Sequence, residues 1–149
     1  MTRAEAWCQH VANLLVGGTG LDYAWMRYLA EPADEFAVVN HPWQPDVQHL
    51  HVLTAPLLVF ATGLIWADHV WKRVRSGFKP RRRLGLGLVS LLVPMIASGY
   101  LLQVAVEEGT RAFWGWTHLV TSLGWIALYA AHQLAPRQLG ARQLARERG

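Results

Sequence analysis

A single apolar stretch, Arg111 to Gln133, limits what this chain can fold into more than any other part of the sequence. It is long enough to cross a lipid bilayer as an α-helix, and it contains two histidines, His118 and His132. Positions fourteen apart are close to four helical turns from each other. Both imidazoles should therefore leave the same face of the helix, about 21 Å apart along its axis. Because ionisable side chains inside a membrane are costly and tend to mark function, the stretch predicts a membrane helix with two functional layers.

The composition of the whole chain agrees with a membrane protein. Of its 149 residues, 52% are hydrophobic and 16% are charged, whereas soluble domains contain about 25% charged residues. The single cysteine, Cys8, excludes an intrachain disulfide framework and an all-cysteine iron–sulfur site. The net charge of +4 arises from clustered basic residues, a pattern that favours membrane topology over a nucleic-acid surface.

Four candidate membrane spans follow one another along the chain. Each is close to the roughly 20 residues that a bilayer requires, and their predicted limits are 7–29, 47–71, 84–106 and 111–134. They predict an all-α fold, an integral membrane four-helix bundle with up-down-up-down topology in a single domain.

The connections between these spans differ in charge, and this difference predicts the orientation. Basic residues follow the second and fourth spans, namely Lys72, Arg73, Arg75, Lys79, Arg81, Arg82, Arg83, Arg137, Arg142, Arg146 and Arg148. The other two connections are acidic and contain Glu31, Asp34, Glu35, Asp46, Glu107 and Glu108. Because basic connections remain in the cytoplasm, we expect both termini on that side. The first acidic connection also contains H-P-W-Q-P, whose two prolines predict a rigid, extended cap.

The seven histidines fall into two layers in this topology. His10, His69 and His132 lie near the cytoplasmic face, His49, His51 and His118 lie near the outer face, and His41 lies in the outer connection. Two layers with candidates on different helices are what bis-histidine ligation of two b-type haems requires. Gly85 and Gly99 are also fourteen apart, one at each layer. Their missing side chains either leave room for a porphyrin edge or simply let the helices approach each other closely. For the segment from Gly17 to Gly20 we prefer the second interpretation, helix packing.

The axial ligands can be predicted from helix geometry. We assign His51 and His118 to the outer haem iron, because His51 is the deeper of the H-L-H pair and His49 points about 200° away. His132 is one predicted ligand of the inner haem iron, and the other is His10 or His69. His69 lies five whole turns after His51 and so on the same face, but about 27 Å away, whereas the helix-four pair is about 21 Å apart. His10 avoids that mismatch.

These residues resemble a known family, the small bacterial di-haem cytochromes b of the b561 type and the related cytochrome b subunits of membrane hydrogenases. In that family a helix-one histidine near the cytoplasm, a helix-two histidine near the outside and a helix-four pair fourteen apart bind two haems. The matching positions are His10, His51 and the pair His118 and His132, while Val11 stands where the family usually has tryptophan. The resemblance implies a multi-pass protein of the bacterial inner (cytoplasmic) membrane.

The predicted function is electron transfer by a di-haem b-type membrane cytochrome of the respiratory chain. It would connect the quinone pool with a redox partner, as a subunit of a larger oxidoreductase rather than as a stand-alone enzyme. Bis-histidine ligation leaves no open iron position for substrate chemistry. The expected partners are membrane lipid, a quinone, and a periplasmic cytochrome or larger redox complex, and no nucleic acid. Arg27, Arg111, Arg73 and Arg75 are candidates to pair with haem propionates, or are interfacial anchors.

Two other classes of function remain open. One is a stand-alone quinone-linked oxidoreductase that acts on a small oxidant such as superoxide at an accessible haem edge. The other is a haem-free, histidine-rich metal-binding membrane protein. Hydrolytic chemistry is not supported, because the sequence has no G-x-S-x-G, no H-E-x-x-H and no phosphate-binding glycine loop.

Overall fold

The computed structural model describes residues 1–76 and 82–134, and all regular secondary structure within those ranges is helical. Four long helices follow one another: α1 (Arg3–Tyr28), α2 (Gln44–Arg75), α3 (Arg82–Val104) and α4 (Glu108–Leu134). The predicted all-α fold is therefore confirmed. Lys79, Arg81 and the basic residues of the C-terminal tail, on which part of the predicted orientation rests, lie outside the described residues.

The start of α1 is set by a local polar cap rather than by hydropathy. Thr2 Oγ1 accepts a hydrogen bond from the Glu5 amide at 3.2 Å, and the Thr2 amide donates to Glu5 Oε2 at 2.7 Å. This reciprocal capping box satisfies amide groups that the first helical turn leaves without helical acceptors. The helix consequently begins at Arg3, four residues before the start of the predicted apolar span.

The H-P-W-Q-P segment is less extended than predicted, because its last two residues belong to a helix. Gln44 and Pro45 form the first positions of α2. Proline suits this place, since its fixed φ is helical and its missing N–H would have had no helical acceptor. The connection before α2 is held in place on α1 by Asn40, whose side chain donates to the Arg27 carbonyl at 2.8 Å. The cap is thus a tethered connection that leads directly into a helix.

The second helix changes its winding near its C-terminal end. Residues Gln44–Ile65 are α-helical, Trp66–Trp71 form a π-helical turn, and Lys72–Arg75 return to α geometry. A π-helix bonds i to i+5, so its turns contain more residues than α-helical turns. His69 lies in this turn. The predicted five whole turns between His51 and His69 assumed an uninterrupted α-helix, and that assumption is wrong.

The helices of the described residues pack in pairs within two compact units, which divide after Lys72. We call them the first and second hairpins: α1 packs on α2 in the first, and α3 packs on α4 in the second. In the first hairpin the small residues Ala12 and Ala61 are buried at the contact, and the buried Gln9 donates to Thr62 at 3.3 Å. Small side chains allow close helix approach, and a polar bond across the contact adds to it.

The second hairpin is interlocked by leucines that fill the space beside glycines. A Cβ at Gly87 would lie 2.8 Å from Leu128 Cδ1, and a Cβ at Gly124 would lie 3.1 Å from Leu91 Cδ1. Each helix therefore receives a leucine of the other at a position without a side chain. This reciprocal packing brings the backbones of α3 and α4 close together between the levels of His118 and His132.

Two of the four helices are long and apolar enough to cross a membrane. The most apolar windows of Gln44–Arg75 and Arg82–Val104 have mean hydropathies of 1.8 and 1.9. Each of the four helices also has a large apolar side chain that is 64% to 75% exposed, namely Leu14, Leu53, Val93 and Val120. Apolar surface of this kind is typical of faces that contact lipid or another protein. The predicted spans in α1 and α4 remain predictions.

The start of α4 should respond to pH through Glu107. Its carboxylate accepts hydrogen bonds from the amides of Gly109 at 2.8 Å and Thr110 at 2.6 Å. Hydrogen bonds from the Thr110 side chain and from these two amides lower the pKa of Glu107 below its ordinary value. A lowered pKa means that the carboxylate stabilises the folded state above its ordinary pKa and loses this effect as pH falls through the lowered one.

We therefore expect Glu107→Gln to have a lower thermal midpoint than the unsubstituted protein near neutral pH. The difference should shrink as the pH falls through the lowered pKa of Glu107, because glutamine does not titrate. Thermal unfolding followed by far-UV circular dichroism in detergent, at a series of pH values, measures this. A difference that stays constant with pH would contradict the assigned cap.

Candidate histidine sites in the two hairpins

In the first hairpin, the imidazole of His51 on α2 is in close contact with α1 at Gly20. A Cβ built at Gly20 would lie 2.9 Å from His51 Cε1 and 3.3 Å from Nδ1. The first distance is shorter than real Cβ contacts, so the ring occupies space that any side chain at this position would need. Glycine is thus what allows the imidazole to rest on the backbone of α1.

The residue before this glycine contacts the same ring through its hydroxyl. Thr19 Oγ1 lies 3.2 Å from His51 Nδ1. The hydroxyl also donates to carbonyls of its own helix, Leu15 at 2.8 Å and Val16 at 3.2 Å. Thr19 and Gly20 together therefore form the surface of α1 on which the half-buried His51 rests.

In the second hairpin, His118 of α4 lies against α3 at Gly99 in the same manner. A Cβ at Gly99 would lie 3.1 Å from His118 Cε1 and 3.2 Å from Nδ1. The Nδ1 atom is 3.0 Å from the Met95 carbonyl oxygen and 3.4 Å from Ser98 Oγ, while Nε2 is 3.5 Å from Ser122 Oγ. Met95 precedes Gly99 by one turn, so its carbonyl points towards the surface that the glycine leaves bare.

The two hairpins thus use one arrangement twice, a hydroxyl residue followed by glycine opposite a histidine of the packed helix. Thr19 and Gly20 form it on α1, and Ser98 and Gly99 form it on α3. The sequence reasoning identified Gly99, but it assigned the segment from Gly17 to Gly20, Thr19 included, to helix packing and did not consider Ser98. The signal was a Thr-Gly and a Ser-Gly dipeptide inside apolar helices, which gains meaning only once the opposing residue is known.

His132, the predicted ligand of the inner layer, also faces a glycine. A Cβ at Gly85 would lie 3.9 Å from His132 Cε1, an ordinary van der Waals distance. Within the second hairpin, Gly85 is therefore level with His132 and Gly99 with His118, as their common spacing predicted. α4 is α-helical from Glu108 to Leu134, so its two histidines keep one face and the separation of about 21 Å that an α-helix gives.

The two candidates for the second inner ligand have different surroundings, and both lie in the first hairpin. His10 is exposed on α1 and contacts Trp7 edge-on, with ring centroids 6.1 Å apart. His69 is half-buried in the π-helical turn. Wider π turns recur at functional sites in helices. The choice between these two histidines stays a prediction.

The remaining histidines lie towards the surface of the first hairpin. His49 is exposed on α2, two residues before His51. His41 packs against Trp25, with ring centroids 5.7 Å apart, and its Nδ1 accepts a hydrogen bond from the Trp43 amide at 3.2 Å. Neither residue is among the predicted iron ligands, and the exposed position of His49 on the same helix as His51 makes it a suitable control.

The arginines predicted to pair with propionates lie at helix ends. Arg27 donates to the Tyr23 hydroxyl at 3.3 Å, and Arg111 donates to the Ala105 carbonyl at 3.2 Å. Arg73 and Arg75 belong to the last turn of α2. Their pairing with propionates stays a prediction.

Within residues 1–76 and 82–134, no group of three His, Cys, Asp or Glu side chains converges on a common metal position. Comparison of the chain with protein-family models, with curated proteins and with solved structures finds no match.

Proposed function

We propose that the chain is a di-haem b-type membrane cytochrome that transfers electrons between the quinone pool and a redox partner, as a subunit of a larger oxidoreductase. One observation carries this proposal. In each hairpin, a predicted outer-haem ligand is in close contact with a glycine of the packed helix, with Nδ1 near an oxygen of that helix. Helix packing alone does not require an imidazole at these places, and it does not require the same surroundings twice.

The residues present fit an iron porphyrin. Histidines that bind metals commonly donate the second ring N–H to a carbonyl or another oxygen, which sets ring orientation. Thr19 Oγ1 is such an oxygen for His51, and the Met95 carbonyl is one for His118. We propose the ligand pairs predicted from the sequence: His51 with His118 for one iron, and His132 with His10 or His69 for the other. Haem held by such histidine pairs would supply one-electron transfer and would leave no iron position for a substrate.

The proposed setting is the bacterial inner membrane. The four helices would form an up-down-up-down membrane bundle, with both termini in the cytoplasm. The apolar lengths of α2 and α3 and the exposed apolar side chains on all four helices support it. In this setting His51 and His118 belong to the outer layer, and His132 belongs to the inner layer.

The proposed partners are a quinone and a redox protein on the outer side. The connection from α1 to α2 bears exposed carboxylates at Glu31, Asp34 and Glu35, and Asn40 ties it to the end of α1. An ordered acidic surface favours encounter with a basic partner and makes that encounter sensitive to salt. This surface supports a periplasmic cytochrome, or a subunit of a larger redox complex, as the docking protein.

The haem content of the purified protein tests the proposal directly. We expect a reduced-minus-oxidised spectrum with six-coordinate, low-spin b-type bands, and two haems per chain by the pyridine haemochrome assay. Reduction of these bands by a quinol analogue tests the link to the quinone pool. Far-UV circular dichroism on the same sample confirms that the helices are folded. A helical preparation without haem would refute the proposal.

A further inference from the structure

We propose that Thr19 is a positioning residue that sets the tautomer of His51, and that Ser98 together with the Met95 carbonyl sets the tautomer of His118, with the proton on Nδ1 and the lone pair on Nε2 in both. Nε2 would then be the nitrogen left to bind an iron. The consequence at the iron rests on the proposed function, whereas the tautomer is a property of the chain itself.

The argument is most direct for His118. Its Nδ1 lies 3.0 Å from the Met95 carbonyl oxygen, and a carbonyl can only accept a hydrogen bond. Ser98 is fully buried, and its hydroxyl donates to the carbonyls of Pro94 at 2.6 Å and Met95 at 3.1 Å. The hydroxyl proton is therefore directed away from the ring, and Ser98 Oγ meets Nδ1 as a second acceptor at 3.4 Å. Two acceptors at Nδ1 require a proton on that nitrogen.

The same reasoning applies to His51. Thr19 has one hydroxyl proton, and it is directed to the carbonyls of Leu15 or Val16 in its own helix. Its oxygen, 3.2 Å from His51 Nδ1, is left as an acceptor. The hydroxyl group thus makes two hydrogen bonds: it donates its proton to a carbonyl of its own helix, and its oxygen accepts a proton from His51 Nδ1. In neutral imidazole, a proton on Nδ1 leaves the lone pair on Nε2.

Glycine and hydroxyl act together in this arrangement. A side chain at Gly20 or Gly99 would lie within 3.1 Å of the imidazole and hold it away from the helix. At that greater distance, the hydroxyl of the preceding residue would no longer reach Nδ1. The pair therefore sets both how close the ring comes and which nitrogen is protonated.

A hydrogen bond donated by Nδ1 makes the imidazole a more basic ligand. A more basic ligand stabilises the oxidised iron, so losing the acceptor should raise the midpoint potential. We expect Thr19→Val, which replaces the hydroxyl with a methyl group of similar size, to shift one of the two haems to higher potential. Thr19→Ser should restore the original value. Ser98→Ala should shift the same haem less, because the Met95 carbonyl still accepts from His118.

The experiment is a spectroelectrochemical titration of the full-length protein as purified, with haem content measured on each sample. Thr54→Val is the matched control, because the Thr54 hydroxyl also donates to helix carbonyls, those of Leu50 at 2.8 Å and His51 at 3.2 Å. A higher potential in Thr19→Val, reversed in Thr19→Ser and absent in Thr54→Val, supports the inference. If Thr19→Val does not fold, the test rests on Ser98→Ala: a small rise in the midpoint potential of one haem supports the inference, and an unchanged potential contradicts it.

The two proposals fail in distinguishable ways. Unchanged potentials in folded Thr19→Val and Ser98→Ala, with two haems bound, overturn the positioning role and leave the cytochrome intact. If the folded protein binds no haem, the proposed function fails, and nitrogen-15 NMR of labelled histidines reads the tautomers on that same preparation. Protonated Nδ1 in His51, lost in Thr19→Val, then supports the inference, whereas protonated Nε2 in the unsubstituted protein overturns it.

Discussion

Replacing His51 or His118 with alanine is expected to lower the haem content from two per chain to one. Each substitution removes an imidazole whose Nδ1 lies near an oxygen of the packed helix, and alanine offers no atom that binds iron. Haem per chain by pyridine haemochrome is the measurement. His49→Ala is the control, since His49 is exposed on the same helix only two residues before His51. It should retain two haems.

Double substitutions then test which histidines bind the same iron. If His51 and His118 share an iron, the double alanine variant should lose no more haem than either single variant, because residues that act as one unit are not additive. His51→Ala combined with His132→Ala should lose both haems, because these residues are assigned to different layers. Two haems retained in His51→Ala, or a further loss in the first double variant, would contradict the predicted pair.

Alanine at Gly20 is expected to disrupt the outer haem, whereas alanine at Gly18 is not. The new methyl group at Gly20 would lie 2.9 Å from His51 Cε1, so the ring must move. Overpacking of this kind costs about 1–3 kcal/mol, and a displaced ring would lose both its contact with Thr19 and its position towards the proposed iron. A Cβ at Gly18 on the same helix meets no atom within 4 Å, and it should add about 1 kcal/mol of helix propensity.

The remaining glycines extend this comparison into a series. The Cβ distances to histidine Cε1 increase from Gly20 at 2.9 Å to Gly99 at 3.1 Å and Gly85 at 3.9 Å. We therefore expect alanine to lower haem content and thermal midpoint most at Gly20, less at Gly99 and not at Gly85. Difference spectra and thermal unfolding on the same preparations measure both effects. Equal losses at Gly18 and Gly20 would show that glycine serves helix packing alone.

Hydrophobic runs in the sequence predicted the number of helices well. The capping residues and prolines at the helix ends explain why the observed limits differ from the predicted ones. Hydrophobic runs marked four helices in the correct order because each apolar stretch is a property of contiguous residues. They did not mark where helices begin, since Thr2 and Glu5 cap α1 outside its apolar part and Pro45 starts α2 within a presumed cap. Helix ends are set by hydrogen bonds and proline geometry, to which hydropathy is insensitive.

The geometric relation between histidines on one helix was predictable in one case and not in the other. The shared face of His118 and His132 could be predicted, because α4 is uninterrupted and α-helical pitch is constant. The relation of His51 to His69 could not be predicted, because the π-helical turn at Trp66–Trp71 changes the number of residues per turn. No residue type in this turn indicated from the sequence that the winding changes there.

The sequence by itself determined the four helices, their order and the two levels of histidine on α4, since all of these follow from the spacing of residues along one helix. Only the tertiary structure decided which atoms meet each imidazole. Gly20 and Thr19 are far from His51 along the chain, and Ser98 and Met95 belong to a different helix from His118. Contacts across a helix pair depend on which helices pack and in what rotation, and packing sets both through the small residues at their faces.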